Sequence, residues 1–345
     1  MRDVEIIAPN FKRRLSGVTS TIIQLIPYQV KLGVKIATLG PGLPAHLPRL
    51  RWTQLAGLWR PPIGHSHRIW HARRNNEMAF GLFLKRVLRM RLKLVFTSAA
   101  QRRHTGYTRW LIRQMDHVIA TSTRSGSFLE VGHTVIQHGV DLELFHPPET
   151  AEDTIEATGL PGRYLVGCFG RVRHQKGTDL FVKAMIELLP KYPDWTAVIS
   201  GRVTPEHAAF AEGLKSAIAA AGLVNRVVFL GEVPDIKVWY RRLTLYVAPS
   251  RNEGFGLTPL EAMASRTAVV ASDAGAYAEM IEEGVNGSVV AGGDGNGLRR
   301  AIEPYLGDPE RTILVGNTAL AHVKENFDIN REASALRAIY SKHTA

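Results

Sequence analysis

The sequence predicts an α/β protein of two consecutive lobes, each a parallel β-sheet wound with helices. Three observations point there. At 345 residues the chain is longer than one core usually supports. Short apolar runs alternate with helix-period stretches through the first half, the pattern of a parallel sheet with right-handed crossovers. The same alternation restarts after Phe145-His146-Pro147-Pro148 and an acidic, poorly patterned segment from Glu149 to Thr158. Two alternating units in series imply Rossmann-like lobes facing each other across a cleft.

In the first unit the predicted strands are Val4–Ala8, Val34–Leu39, Ile69–His71, Leu92–Phe96, Val118–Thr121 and Thr134–Gln137. Helices are expected over Thr19–Lys31, Asn75–Arg91 and Gly106–Met115; Phe80, Leu84, Val87 and Leu88 recur at helical spacing in the second. The second unit reads as strand Tyr164–Phe169, helix Gly177–Leu189, strand Trp195–Gly201 and helix Pro205–Ala221. Strands Val227–Leu230, Leu245–Ala248 and Ala268–Ala271 follow, with helices between. A last helix, roughly Asn330 to Ser341, is expected to pack back on the first lobe. The predicted division is therefore residues 1–150, a linker 151–163, a second lobe 164–325, and a returning helix 326–345.

Composition narrows the setting. Hydrophobic residues at 45% and charged residues at 21% are ordinary for a globular protein. The single cysteine, Cys168, excludes an internal disulfide and fits a reducing compartment. The N-terminus reads as a first strand rather than a signal peptide, and no apolar run is long enough to span a bilayer. The expectation is a cytoplasmic protein, soluble or peripherally attached. The net charge of +12 is concentrated: Gly40 to Met115 holds fifteen Lys/Arg against Glu77 alone, a net of +14. Trp52, Trp59, Trp70 and Trp110 lie in the same stretch. Arginine interleaved with tryptophan suits an anionic membrane surface better than nucleic acid. The plain alternative is a solvated basic face with the tryptophans in the core.

Two segments carry chemistry. Ala248 to Met263 leaves the carboxyl end of a strand, turns through Gly254 and Gly256, and enters a helix with Pro259 in its first turn. Such a turn aims free N–H groups and the positive end of a helix dipole at an anion. Its glycines allow the backbone close to a phosphate. A diphosphate there would sit between Glu253, in reach of a sugar, and Glu261, in reach of a ribose. Alone, the two glutamates fit an ordinary surface turn. The second segment, Gly170-Arg171-Val172-Arg173-His174-Gln175-Lys176-Gly177, also joins a strand's carboxyl end to a helix. Arg171 can fork onto phosphate oxygens and Lys176 supplies a compact charge. Both motifs at carboxyl ends of parallel strands in one lobe mark a ligand site. Their cations would meet the charge on a departing diphosphate.

These residues resemble the signatures of retaining glycosyltransferases of the two-lobed GT-B type, family 4 (group 1). Glu253 and Glu261 match its pair of glutamates separated by seven residues. Gly170-Arg171 with Lys176-Gly177 matches its diphosphate clamp, and Gly231-Glu232-Val233-Pro234-Asp235 resembles its base-contacting loop. His138-Gly139-Val140-Asp141 with Phe145-His146-Pro147 matches the hallmark ending the first lobe. Gly17, in Leu15-Ser16-Gly17-Val18-Thr19, stands where a glycine-rich loop meets the diphosphate from the other lobe. The resemblance covers nearly the whole chain, and its C-terminal motifs are the more specific. It implies a GT-B fold with Glu253, Arg171 and Lys176 as catalytic residues. Gly17, Gly170, Val233, Asp235, Gly254, Phe255, Gly256, Leu257 and Glu261 would bind the donor.

A narrower resemblance is to the lipopolysaccharide core mannosyltransferases of rhizobia and their relatives. It rests on Ala8-Pro9-Asn10-Phe11-Lys12-Arg13-Arg14, on His71-Ala72-Arg73-Arg74-Asn75-Asn76-Glu77, and on Thr97-Ser98-Ala99-Ala100-Gln101-Arg102-Arg103-His104-Thr105. It implies GDP-mannose as donor and a Kdo-bearing lipid A precursor as acceptor, an anionic lipid on the cytoplasmic face of the inner membrane. That agrees with the charge argument. One departure stands out. Many family members carry a histidine in the first lobe just after the strand ending near Phe96-Thr97; here the place reads Ser98-Ala99-Ala100, and His104 is the nearest histidine.

The mechanism these residues imply is front-face displacement. Arg171, Lys176 and the turn at Gly256 and Leu257 meet the diphosphate's charge, Glu253 orients the sugar, and Glu261 holds the ribose. The chain has no Asp-x-Asp motif, so no metal or other cofactor is expected. His65, His67 and His71 read as ordinary loop and strand histidines. Gly292-Gly293-Asp294-Gly295-Asn296-Gly297 reads as a flexible turn, and Asn286-Gly287 as a hairpin-like turn. Other functions remain open: a GT-B enzyme using a UDP-sugar, a sugar-nucleotide epimerase or phosphorylase, or a non-enzymatic basic lipid- or nucleic-acid-binding protein.

Overall fold

The computed structural model describes residues 2–13 and 17–344; Arg14, Leu15 and Ser16 of the quoted stretches lie outside the described residues. The chain forms two compact units, Met1–Gly139 with Asp328–Ala345, and Val140–Phe327.

In chain order the first unit contains β1 (Ile6–Pro9), α1 (Gly17–Lys31), β2 (Ile36–Leu39), β3 (Arg49–Leu50), a 3-10 helix Trp52–Trp59, β4 (Arg68–Ala72) and α2 (Asn75–Arg86). There follow β5 (Leu92–Ser98), α3 (Gly106–Ile112), β6 (His117–Ala120), α4 (Thr123–Gly126) and β7 (Thr134–Val135). Among the described residues the sheet has the order β3-β2-β1-β4-β5-β6-β7, with every pair parallel. Its central strands are apolar on both faces because both are covered. Ile6 and Ala8 face one cluster with Ile22, Leu25 and Ile26 of α1. Ile7, Trp70 and Leu94 face the other, with Met78 and Leu82 of α2.

The second unit contains β8 (Tyr164–Phe169), α5 (Thr178–Leu188), β9 (Trp195–Ser200), α6 (Ala208–Ala220), β10 (Val227–Gly231), α7 (Ile236–Arg242) and β11 (Leu245–Ala248). It continues through α8 (Thr258–Ala264), β12 (Ala268–Ser272), α9 (Tyr277–Met280), β13 (Gly287–Val290), α10 (Gly295–Gly307) and α11 (Pro309–Asn326). Its parallel sheet runs β10-β9-β8-β11-β12-β13. Strand order reverses at β8 and β11, so their carboxyl ends flank a topological switch point, where open parallel sheets bind ligands. The last helix, α12 (Ile329–Thr344), packs on α1 of the first unit. Ile329, Ala333, Leu336, Ile339 and Tyr340 enter the cluster holding Ile22 and Ile26. Glu332 of α12 is buried and accepts from Gly139 N–H at 2.9 Å and His138 Nδ1 at 2.8 Å.

Several expectations are corrected. The boundary falls at Gly139–Val140, and residues 140–163 belong to the second unit rather than to a first lobe and linker. The acidic segment packs because its charge is satisfied: Asp153 is 4% exposed and receives Arg241 Nε at 2.5 Å. Val140 and Phe145 join the same core as Tyr240. Helix α2 stops at Arg86 rather than Arg91, because the chain turns through Arg89 in a left-handed conformation (φ 53°). Asn286-Gly287 does not begin a hairpin, since β13 runs parallel to β12. Of the Gly292–Gly297 run, Gly292 and Gly293 do form a turn, but Gly295–Gly297 are the first turn of α10, capped by the Asp294 side chain on Gly297 N–H.

Burial of Asp153 works against its charge, yet Arg241 and the N–H groups of Glu149 and Thr150 hold its carboxyl down at about 2. A depressed acid stabilises the fold above its unfolded value near about 3.9 and loses that contribution as pH falls toward about 2. Asp153→Ala is expected to lose about 3 kcal/mol, the usual cost of orphaning a buried ion-pair partner. Urea unfolding at neutral pH and at pH near 3 measures this. The difference between variant and parent should shrink at the lower pH.

Candidate active site

The switch point collects the two motifs. The loop after β8 carries Gly170 through the 3-10 turn His174–Lys176 into α5, and the loop after β11 carries Pro249 through Leu257 into α8. They are tied together by Arg251. Its backbone N–H donates to Gln175 O at 2.9 Å, its Nη1 donates to His174 O at 2.6 Å, and its guanidinium forks onto Asp179 of α5 at 2.7 Å for each oxygen. This strap brings Lys176 beside Glu253, and the two form an ion pair with both side chains one-fifth exposed.

Glycines at two positions make the approach possible. Gly177 has φ +71°, and a Cβ there would strike Pro249 O on the other loop. Gly256 has φ +85°, and a Cβ would strike the Tyr277 ring and lie 2.8 Å from Glu253 Cγ. In α8 the Glu261 N–H donates to Leu257 O at 3.0 Å, so the Thr258 and Leu260 N–H groups before it, either side of Pro259, have no acceptor four residues back in the helix.

Glu261 lies behind this turn. Tyr240 OH donates to its Oε2 at 2.9 Å. Burial raises its carboxyl to about 7, against the lowering effects of the Tyr240 bond and the Lys176 charge. Burial also pushes the Tyr240 hydroxyl well above its ordinary value, so it remains a donor. Cys168, beneath the loop, is pushed up to about 12 by burial and stays a thiol.

The remaining sequence-selected residues are distributed as follows. Arg171 is exposed and Gly170 has φ +136°. Gly254 N–H lies 3.4 Å from Glu253 Oε1 and Phe255 is buried in the core, its carbonyl accepting from Ala276 N–H at 3.0 Å. Val233 is half-buried; Asp235 caps α7 by accepting from Lys237 N–H at 3.0 Å, and burial is outweighed so that its carboxyl stays low. Gly17 opens α1 in the first unit, exposed. His104 follows β5, partly buried, with its Nε2 unpartnered among the described residues; burial lowers its pKa, leaving the ring neutral near neutral pH.

Sequence reasoning missed three participants. Arg251 and Tyr240 are ordinary residue types whose partners are far away in sequence. Arg173 sits inside the quoted motif. Its pKa is lowered first by burial and then by Arg171, with Glu253 opposing, and its buried Nε has no partner among the described residues. The two-residue spacing from Arg171 was the available signal.

Residues 163–308 match the family described as glycosyl transferases group 1. Over 341 residues, 99% of this chain and 97% of the relative, it is 74% identical to the lipopolysaccharide core biosynthesis mannosyltransferase LpcC of Rhizobium leguminosarum bv. viciae. It is 53% identical to the corresponding LpsB protein of Rhizobium meliloti (strain 1021), over 99% of this chain and 98% of that one. Among solved structures, the Anabaena Alr3699/HepE complex with UDP superposes with a TM-score of 0.84 at 22% identity, covering 98% of this chain and all of that one. The C-terminal domain of the Francisella tularensis LpcC protein is 37% identical, with a TM-score of 0.53 over 55% of this chain and 99% of that one. With two parallel-sheet units, a paired lysine–glutamate turn at the switch point of the second, and full-length relatives of this similarity, the chain belongs to the group 1 glycosyltransferases and is an enzyme of the GT-B fold.

Proposed function

We propose that the protein transfers mannose from GDP-mannose, with retention of anomeric configuration, to a Kdo-bearing lipid A or lipopolysaccharide core acceptor. The reaction class follows from family membership. Mannose and the core acceptor are supported by the names of the 74% and 53% identical relatives. The observation that carries the mechanism is the Lys176–Glu253 ion pair, held between two motifs at the switch point.

In the free enzyme each charge neutralises the other. An incoming diphosphate offers Lys176 a better partner and releases Glu253 toward the sugar. Arg171, exposed beside it, forks onto the phosphate oxygens. As the glycosidic bond breaks, negative charge grows on the leaving diphosphate and positive charge on the sugar; Arg171 and Lys176 favour the first, Glu253 the second. The Thr258 and Leu260 N–H groups in the first turn of α8 add oriented dipoles toward the phosphates. The leaving phosphate oxygen takes the acceptor hydroxyl's proton on the same face of the sugar. These cations do the neutralisation, so the reaction proceeds without a metal ion, and turnover should survive a chelator.

Incubation with a panel of GDP- and UDP-sugars, with and without a Kdo-lipid A acceptor, tests the assignment. Transfer of mannose from GDP-mannose alone among them is the expected outcome. Transfer from a UDP-sugar instead would overturn the donor, and donor conversion with no transfer would point to an epimerase.

Glu261 adds a pH signature. A ribose hydroxyl donates best to a carboxylate, and this carboxyl titrates at about 7. Donor affinity is therefore expected to be full above that value and to weaken roughly tenfold per pH unit below it. Calorimetric titration with GDP measures it, and Glu261→Gln should flatten the profile. A parent profile already flat between pH 6 and 8 would remove Glu261 from the ribose.

No described helix is long and apolar enough to cross a membrane. A lipid-borne acceptor would be met by peripheral attachment of the basic first unit to the cytoplasmic face of the inner membrane. The excess of arginine and lysine between Gly40 and Met115 supports this. We do not assign nucleic acid as a partner.

A further inference from the structure

Of the four tryptophans in the basic stretch, Trp70 is fully buried, whereas Trp52, Trp59 and Trp110 are each 50% exposed. The exposed ones fall in two places. Trp52 and Trp59 lie at the two ends of one 3-10 helix, which packs beside α2. Trp52 and Phe80 of α2 lie 6.0 Å apart between ring centroids, and Phe80 lies 6.3 Å from Phe83, whose ring is 45% exposed. The Trp59 indole N–H donates to Leu88 O at 2.7 Å, pinning that ring beside Val87, itself 64% exposed. These side chains form an apolar strip along the 3-10 helix and α2, tied by ring packing and the Trp59 hydrogen bond. Arg51, Arg60, Arg86, Arg89 and Arg91 border it, all exposed, and none pairs with a carboxylate among the described residues.

The acids that could neutralise this face are committed elsewhere. Glu77 is fully buried and holds Arg74 at 2.6 Å and the Arg73 N–H at 2.8 Å. Asp116 is taken by Lys85 and Lys93. The second place, on α3, differs. Tyr107 and Trp110 stack there at 6.2 Å, but Arg109 and Arg113 both pair with Glu130. Half of that charge is cancelled, whereas no acid pairs with the arginines around the first place among the described residues.

We propose that the strip of Trp52, Trp59, Phe83 and Val87, with its rim of arginines, is the surface by which the first unit lies on an anionic lipid bilayer. Indole and phenyl rings settle at the headgroup boundary, and guanidinium groups without a carboxylate partner meet anionic headgroups. An aliphatic Val87 and packed rings that present apolar surface gain nothing from a nucleic-acid backbone, but both gain from acyl chains. The proposal deepens the reading that the acceptor is lipid-borne, and it names the face that reading leaves open.

The test uses the full-length enzyme with vesicles of phosphatidylethanolamine and phosphatidylglycerol, compared with phosphatidylcholine alone. Sedimentation gives affinity, and quenching of tryptophan emission by brominated acyl chains reports insertion. The parent should bind the anionic vesicles and be quenched. Phe83→Ser with Val87→Ser should weaken binding roughly tenfold, as expected for removing apolar anchors at an interface. Arg60→Glu with Arg86→Glu, at exposed positions, should weaken it further. Trp52→Phe with Trp59→Phe should abolish quenching while binding persists, and Trp110→Phe should change neither. Thermal melts confirm that each variant folds, and transfer to a detergent-dispersed acceptor should be unchanged in all. If the parent binds anionic vesicles but the strip variants bind equally well, the face is wrong and the lipid-borne acceptor survives. If the parent binds no anionic vesicle, or prefers duplex DNA to vesicles, membrane docking itself is overturned, while detergent-phase transfer still reports on the donor site.

Discussion

Glu253→Ala is expected to lower turnover roughly a hundred- to a thousandfold, equivalent to about 3–4 kcal/mol of transition-state stabilisation, while thermal stability barely moves. The effect is electrostatic and local. Glu253 stands one-fifth exposed in a turn, and among the described residues its one ion-pair partner is Lys176, so its removal takes away no buried apolar packing. What is lost is the carboxylate that favours positive charge on the sugar. Glu253→Gln keeps the shape and some hydrogen bonding, and should recover part of the loss. Steady-state kinetics with the donor varied separates the outcomes: the loss should fall on kcat, with donor KM changed little. A Glu253→Ala enzyme with parental kcat would remove the residue from the chemistry.

Lys176→Ala carries the second large effect, a loss of roughly a hundredfold or more, with Arg171→Ala close behind. Here both kcat and donor affinity should suffer, because diphosphate is bound in the ground state and gains charge in the transition state. Product inhibition by GDP should weaken in parallel, a signature Glu253→Ala should lack. Lys176 and Glu253 touch, so their effects should not add. The double variant should be little worse than the more damaging single one. Full additivity would mean that the ion pair seen in the free enzyme has no bearing on catalysis.

Much of this was legible in the sequence. Strands Tyr164–Phe169 and Leu245–Ala248 match the bounds expected from sequence, because short β-branched and aromatic runs closed by Gly or Pro are strands rather than helices. Their carboxyl ends then placed both motifs on one edge of one sheet. The errors lie where local composition conflicts with a distant partner. The acidic segment after Pro148 looks like a solvated linker until Arg241 arrives to bury Asp153. Helix α2 looks continuous to Arg91 until the chain must turn at Arg89 to enter β5. The Gly295–Gly297 run looks too glycine-rich for a helix, yet Asp294 caps it.

The sequence by itself determined the fold class, the family and the residue types at the donor site, because strand periodicity, strand-end glycines and charged motif residues are properties of contiguous segments. Only the tertiary structure decided which of those charges meet. Arg251 straps two loops that are far apart in the chain, and this sets Lys176 against Glu253. Burial against Tyr240 gives Glu261 a titration that no neighbouring residue in sequence encodes. In the first unit, packing chose which tryptophans are core and which arginines keep an uncompensated charge. Pair interactions fall off within a few ångströms, so their partners are set by folding rather than by position along the chain.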